Sequence, residues 1–367
     1  MKTTAHYLKI FCFLVLPILS YACPALAVGS GNENEAVAGE NKALKEKMVR
    51  FFLNYLAGDE TLYQDNKPVS LVDIARQRQL VWEAWVEANN RFDEQKLIGL
   101  GKLEQENSGN WDLPAELEPH AVMPYYWGCK GEPGPEGGYP LYLYMHGSGD
   151  KAQEWATGIL LCQKFDVPSA YFIPQIPNMG NYYRWWQKSK QFAWEKLLRL
   201  AFVSGNINPD KVYFFGISEG GYGSQRLASY YADYLAGAGP MAGGEPLKNA
   251  PVENCRNIAF SFLTGAADAG FYRNKLTTYT KNEFERLKKL YPEDYIHRIE
   301  LIPGRGHAID YTLTTPWLKQ YTRNPYPKNV NWENFEMDGV YRKGFYNLAV
   351  KERSNDDYSS RTYYELA

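Results

Sequence analysis

The residues best placed to do chemistry are Gly216-Ile217-Ser218-Glu219-Gly220. A serine hydroxyl is a poor nucleophile until a base takes its proton. A serine flanked by glycines two residues either side fits a sharp strand-to-helix turn that exposes its Oγ. The apolar run Val212–Ile217 reads as the strand, and Glu219 onward, through Gln225, Arg226, Leu227 and Ala228, as the helix. Gly216 and Gly220 then have a steric reason: side chains there would collide within the turn. Gly221 and Gly223 let the helix approach the strands.

The base has to be a histidine. His120 precedes the whole strand-rich region, His146 belongs to a His-Gly turn, and His297 precedes a strand. His307 comes after the run Arg298–Ile302, in a Gly-rich loop at the carboxyl end of that strand, where open α/β sheets build their sites. Asp268 closes the run Ile258–Thr264 in the same way and is the candidate acid that holds the histidine tautomer. Asp310, three residues past His307, is the rival acid, and a helix cap is the alternative role for Asp268. The chain order Ser218, Asp268, His307 is that of a nucleophile-turn hydrolase. The oxyanion formed on acyl transfer needs amide donors. The loop Met145-His146-Gly147-Ser148-Gly149-Asp150 offers the Ser148 N–H, and the residue after the nucleophile offers the Glu219 N–H. The Glu219 carboxylate sits in the first helical turn, favoured by the helix dipole, and is expected to be structural.

These residues carry a resemblance. Residues 121 to about 312 resemble an α/β-hydrolase, more narrowly the polyhydroxybutyrate-depolymerase-like and feruloyl-esterase-like branch that adjoins prolyl-oligopeptidase-type catalytic domains. The segment from Asn208 to Gly221 resembles that group's turn, strand and nucleophile elbow, and Ala238 to Gly244 resembles the group's next segment along the chain. The resemblance covers just over half the chain. It implies an α/β-hydrolase fold, with a mostly parallel central sheet and helices on both faces, and an esterase-like serine hydrolase that uses no metal or other cofactor. Glu219 departs from the pattern, which places a small or amide residue there. Substrate loops vary freely in this superfamily, so the resemblance does not carry the substrate over.

The scaffold for these residues is legible in the hydrophobic pattern. Apolar runs at 141–146, 170–176, 212–217, 258–264 and 298–302 alternate with amphipathic helices. One helix carries Trp194, Leu197, Leu198, Ala201 and Phe202, and another carries Phe284, Leu287 and Leu290. Such alternation argues a mostly parallel sheet covered on both faces. The run 121–127 reads as an edge strand because Pro124 suits no central one. The catalytic domain is expected over 121–320. Before it, 43–120 holds helices and a loop. Leu44, Met48, Phe51, Phe52 and Tyr55 lie at helical spacing, and a second helix opens at Ser70 with Asp73 in a capping-box pattern; residues 99–118 read as loop. After it, 321–367 reads as a small β-rich appendage with a turn at Met337-Asp338-Gly339.

The N-terminus carries export features. Lys2 and Lys9 precede a short apolar run, and Ala25-Leu26-Ala27 suits signal-peptidase cleavage, giving a signal peptide over 1–27 and a flexible polar leader over 28–42. The apolar run is short for a span and contains Pro17, so no membrane span is expected after cleavage. Cys23 offers a lipid-attachment alternative, and the expected location is periplasmic or secreted. Cys129, Cys162 and Cys255 remain, and in an oxidising compartment one pair could join. No Cys/His cluster has zinc-ligand spacing.

The chain has 367 residues, with 40 Lys and Arg against 42 Asp and Glu. That near balance offers no footprint for nucleic acid or an anionic membrane. Tyr182, Tyr183, Trp185 and Trp186 come after the strand 170–176 and are the candidate substrate-stacking residues, with Arg184 beside them able to meet a carboxylate. Together these features lead to an exported serine esterase acting on a small-molecule or glycan ester. A serine peptidase, with Glu219 or Glu245 receiving a peptide amine, is the runner-up, and a catalytically silent glycan binder is a third reading.

Overall fold

The computed structural model describes residues 33–59, 68–135, 137–165, 168–352 and 362–366. The expected signal peptide, Cys23 and the start of the leader lie outside the described residues. Two compact units are present. Among the described residues, one comprises those up to Glu94 with those of 346–353; the other runs from Gln95 to Phe345 and includes the strand Thr362–Leu366.

In the first unit, helices α1 (Glu33–Leu56) and α2 (Ile74–Arg91) pack on each other. The helix begins well inside the segment expected as a flexible leader over 28–42. Its Glu-, Ala- and Lys-rich residues are good helix formers, and polarity alone does not make a loop. Met48, Val49 and Phe52 bury against Val81, Ala84 and Ala88, where the small alanines allow close approach. Phe52 meets the Trp85 ring edge to face at 5.1 Å. The capping box expected at Ser70 is absent: a 3₁₀ turn, Leu71–Asp73, leads into α2, and the Ser70 side chain makes no cap bond. No helix among the described residues is long and apolar enough to cross a membrane.

The second unit is built on one sheet. Its strands are β1 (Gly101–Lys102), β2 (Ser108–Asp112), β3 (Val122–Lys130), β4 (Tyr139–Met145), β5 (Ser169–Pro174), β6 (Ile207–Ile217), β7 (Gly237–Met241), β8 (Ala259–Gly265) and β9 (His297–Ile302). The order is β1-β3-β5-β4-β6-β7-β8-β9, with β2 also on β3. From β5 to β9 every neighbouring pair is parallel, and β3 joins antiparallel to β5. Helices α3 (Lys151–Cys162), α4 (Lys188–Val203), α5 (Glu219–Tyr230), α6 (Arg273–Leu290) and α7 (Thr314–Leu318) flank it. This is the mostly parallel central sheet with flanking helices that the hydrophobic pattern and the resemblance lead one to expect. The core positions expected on α4 are all buried, as are Phe284 and Leu287 on α6, whereas Leu290 is exposed.

Three expectations need correction. The sheet starts before 121: the stretch read as loop supplies β1 and β2, and Trp111 on β2 is buried against Tyr125 and Phe172. β3 is not an edge strand. The Pro124 carbonyl accepts from the Gln175 N–H just past the end of β5, so the missing proline N–H falls where that ladder has ended. The segment expected as an appendage over 321–367 is largely built into the second unit. Val330–Asn334 pairs antiparallel with Thr362–Leu366. Arg342 forms an ion pair with Asp233 at 2.7 Å and donates to the Tyr230 carbonyl at 2.9 Å. The expected turn is formed, with positive φ at Asp338 and Gly339, and the Asp338 carboxylate accepts from the Lys188 N–H at the start of α4. Cys129, Cys162 and Cys255 are all free thiols, so none of the possible pairs is formed.

Candidate active site

Ser218 stands between β6 and α5 with φ 57° and ψ −113°, a conformation costly for any residue with a Cβ. The neighbouring residues hold it there. A Cβ on Gly220 would lie 1.9 Å from the Met145 carbonyl oxygen, and one on Gly216 would lie 2.5 Å from the Gly220 oxygen. Only glycine lets the turn close this tightly against β4. The Ser218 N–H donates to the Met241 carbonyl at the end of β7, 2.9 Å away, which fixes the serine against the sheet.

Asp268 lies just past β8 and His307 just past β9, so both reach the same carboxyl edge as Ser218. The structure brings the three together. His307 Nε2 lies 3.1 Å from Ser218 Oγ, and His307 Nδ1 lies 2.8 Å from Asp268 Oδ2. A carboxylate accepts only, so Nδ1 carries the proton and the Nε2 lone pair faces the serine hydroxyl. His307 is substantially exposed while Asp268 is buried, leaving the proton acceptor open to a substrate and the acid shielded. The rival Asp310 turns elsewhere: its carboxylate accepts from the Thr312 N–H and hydroxyl.

A partner unmarked in the sequence completes this group. Arg273, at the start of α6, donates from Nε and Nη2 to the two oxygens of Asp268 at 2.8 and 2.7 Å. Burial pushes the Asp268 carboxyl up, but the hydrogen bonds from Arg273 and His307 outweigh it and hold the group below the usual carboxylate value. The five-residue step from Asp268 to Arg273 is spanned by a short turn in which Phe271 and Tyr272 both have positive φ and stand exposed.

The serine opens onto a cavity of about 300 Å³ lined by Ser148, Arg184, Trp186, Glu219, Tyr222, Arg226, Glu245, Phe271 and Arg273. The two expected oxyanion residues, Ser148 and Glu219, line this cavity together with Ser218. The four aromatics expected to bind substrate separate. Trp186 lines the cavity, with the Arg226 guanidinium 3.9 Å above its ring. Trp185 and Tyr183 do not; both are buried. The Trp185 indole N–H donates to the His146 carbonyl at 2.9 Å, and the Tyr183 hydroxyl donates to the Gly147 carbonyl at 2.5 Å. They brace the loop that carries Ser148. Tyr182 is exposed outside the cavity. The physical reason for the correction is that a buried Trp or Tyr needs an acceptor for its polar edge, and the carbonyls of the His-Gly loop supply it. His146 is committed to that loop: it accepts from the Ile176 N–H at Nε2, and burial lowers its pKa to about 4, so it stays neutral.

Glu219 combines burial with an incomplete set of partners. Oε2 lies 3.6 Å from Arg184 Nη1, and no hydrogen-bond donor among the described residues reaches Oε1. Burial pushes its carboxyl up to about 7, with Arg184 and Arg226 pulling it down and Glu245 adding to the rise. Glu245 itself faces Arg226 at 2.8 Å and accepts from Asn249.

Neither a protein-family model nor a curated protein matches the chain. Among solved structures, a thermostable esterase is similar at 18% identity, with 59% of this chain aligned to 62% of that one and a TM-score of 0.43. A protein described as a dipeptidyl aminopeptidase IV from Bacteroides ovatus is similar at 10% identity, over 58% of this chain and 34% of that one, with a TM-score of 0.43. A ferulic acid esterase from the anaerobic fungus Anaeromyces mucronatus is similar at 12% identity, over 62% of this chain and 91% of that one, with a TM-score of 0.40. The chain thus spans less than two thirds of the first two proteins. At these scores the likenesses decide nothing about chemistry, which rests on the geometry around Ser218.

Proposed function

We propose that the protein is a serine hydrolase that cleaves carboxylic esters through an acyl-enzyme. The observation that carries this is the continuous relay from Ser218 Oγ through His307 to Asp268, at 3.1 and 2.8 Å, opening onto a cavity. Ser218 attacks the ester carbonyl as His307 Nε2 takes its proton. The imidazolium that forms is stabilised by Asp268 and then protonates the departing alcohol. The amides of Ser148 and Glu219 hold the oxyanion; a donor of this kind contributes about 3–4 kcal/mol. Water, activated by the same histidine, then releases the acid. The export features at the N-terminus and the aromatic wall at Trp186 support acyl groups on an extracellular glycan as the substrate class.

The peptidase reading has one observation in its favour: Glu219 and Glu245 both line the cavity. Each already faces an arginine, Glu219 with Arg184 and Glu245 with Arg226, so a peptide amine would enter a site whose charges are matched. Esters are therefore the preferred substrates. Turnover of acetyl, butyryl and feruloyl aryl esters, measured beside dipeptide amides, tests this. Ester turnover lost in Ser218→Ala supports the proposal. Faster turnover of dipeptide amides would replace it with the peptidase reading.

A further inference from the structure

We infer that the Glu219 side chain is a specificity-determining acceptor that reads a hydroxyl group close to the scissile ester, with Arg184 facing the same group; this rests on the serine-hydrolase reading above. The cavity holds three guanidiniums and two carboxylates, and most of them are spent on each other. Arg273 is tied by both its hydrogen bonds to Asp268. Arg226 lies against Glu245 and over the face of Trp186. The Arg184–Glu219 pair is the loose one, at 3.6 Å, beyond a hydrogen bond. Arg184 Nη1 donates instead to the Tyr183 carbonyl, and the Arg184 side chain is 48% exposed.

Two polar functions are left over beside the nucleophile. One is the Glu219 carboxyl, which lines the cavity with no donor among the described residues on Oε1 and with Arg184 no nearer than 3.6 Å to Oε2. The other is the outward donor edge of Arg184. A hydroxyl both donates and accepts, so a single group can serve both. A carboxylate in the same place could meet Arg184 but, being an acceptor only, would leave Glu219 without a donor. An ammonium would meet three guanidiniums and could satisfy Glu219 only by opposing Arg184. A neutral hydroxyl matches the remaining functions without adding charge. Trp186 and Phe271 on the cavity wall supply apolar surface for the carbon skeleton that bears it. Glu219 is also the residue directly after the nucleophile, which puts its side chain at the reacting end of the cavity rather than at a remote subsite.

The hydroxyl can belong to the acyl part or the alcohol part of the ester, and the test separates the two. For the acyl arm, kcat/KM is compared for aryl esters of propionate, lactate, alanine and methylmalonate, which place hydrogen, hydroxyl, ammonium and carboxylate on the same carbon. For the alcohol arm, propyl acetate is compared with glyceryl 1-acetate. The expected result is a preference of about tenfold or more for the hydroxyl-bearing member of one pair, as a site built to hydrogen-bond a group rejects the analogue lacking it. Methylmalonyl ester, which offers Glu219 no donor, should fall below the lactyl ester. In Glu219→Leu the hydroxyl preference should collapse to within about twofold, while Glu219→Gln, which keeps an acceptor, should retain part of it. A hydroxyl preference unchanged in Glu219→Leu, no preference in either arm, or alanyl ester as the best substrate would overturn the inference. Fluorophosphonate labelling of each variant tells the two failures apart. Labelled protein with flat selectivity removes this inference alone, and unlabelled, inactive wild-type protein removes the hydrolase reading together with it.

Discussion

Two turns beside the same cavity hold non-glycine residues at positive φ, and they are held in different ways. At Ser218 the constraint is backbone against backbone: Gly216 and Gly220 leave no room for a side chain, and the serine N–H is tied to Met241. At Phe271 and Tyr272 the neighbouring Gly270 is crowded by a side chain and not by backbone: a Cβ there would meet the end of Arg273 at 2.8 Å. There the turn is closed by the paired hydrogen bonds between Asp268, on its N-terminal side, and Arg273, on its C-terminal side. One turn is encoded by missing side chains and the other by a matched pair. The first kind leaves a pattern in the sequence. The second does not, because an arginine five residues after an aspartate is commonplace until the fold brings them face to face.

The two turns should therefore break differently. Gly220→Ala should have the largest effect, since the new Cβ would sit 1.9 Å from a backbone oxygen that cannot yield. We expect loss of at least about 2 kcal/mol of stability together with loss of activity, read by denaturant unfolding and ester turnover. Asp268→Asn attacks the acid end of the second turn. It should lower kcat by roughly 10³–10⁴-fold, because the amide favours the wrong histidine tautomer, with the fold intact by circular dichroism.

Arg273→Gln should be milder, on the order of a 10–100-fold fall in kcat, and should carry a signature that simple loosening would not. Arg273 helps hold Asp268 ionised. Without it the Asp268 carboxyl titrates at higher pH, so the acid limb of the pH–rate profile should move up. A fall in kcat with an unmoved acid limb would mean that Arg273 serves only to shape the turn.

Glu219→Gln should change stability in the direction opposite to Gly220→Ala. The folded protein keeps the Glu219 proton up to about 7, whereas an unfolded carboxyl releases it near its ordinary value. Between those values the folded state binds more protons, so this group costs stability progressively as pH rises, and the full cost is present above about 7. Glu219→Gln should therefore unfold at higher denaturant at pH 8 by roughly 1–3 kcal/mol and match the parent near pH 4. The charged groups around Glu219, namely Arg184, Arg226 and Glu245, are unchanged in that variant, so the difference reports on this carboxyl.

The legibility of the sequence divides along the same line. Ser218, Asp268 and His307 are identifiable because each stands just after an apolar run, and the structure places all three at the carboxyl edge within hydrogen-bond reach. β7 leaves no such trace. Its Gly237-Ala238-Gly239-Pro240-Met241 is fully buried but lacks the bulky apolar residues that mark a strand. Aromatic residues are the other difficulty. Trp185 and Trp186 are adjacent in the chain, yet one braces the His-Gly loop and the other lines the cavity. Composition cannot separate those roles, because the same indole suits a core with a carbonyl nearby as well as a binding wall.

In the proposed relay, Ser218 is activated by His307 and Asp268. The most direct measurement is fluorophosphonate labelling of the folded protein, with detection by intact mass, beside Ser218→Ala. One adduct on the parent and none on Ser218→Ala is the predicted result. An unlabelled parent that is folded by circular dichroism, or an adduct that persists in Ser218→Ala, would contradict it.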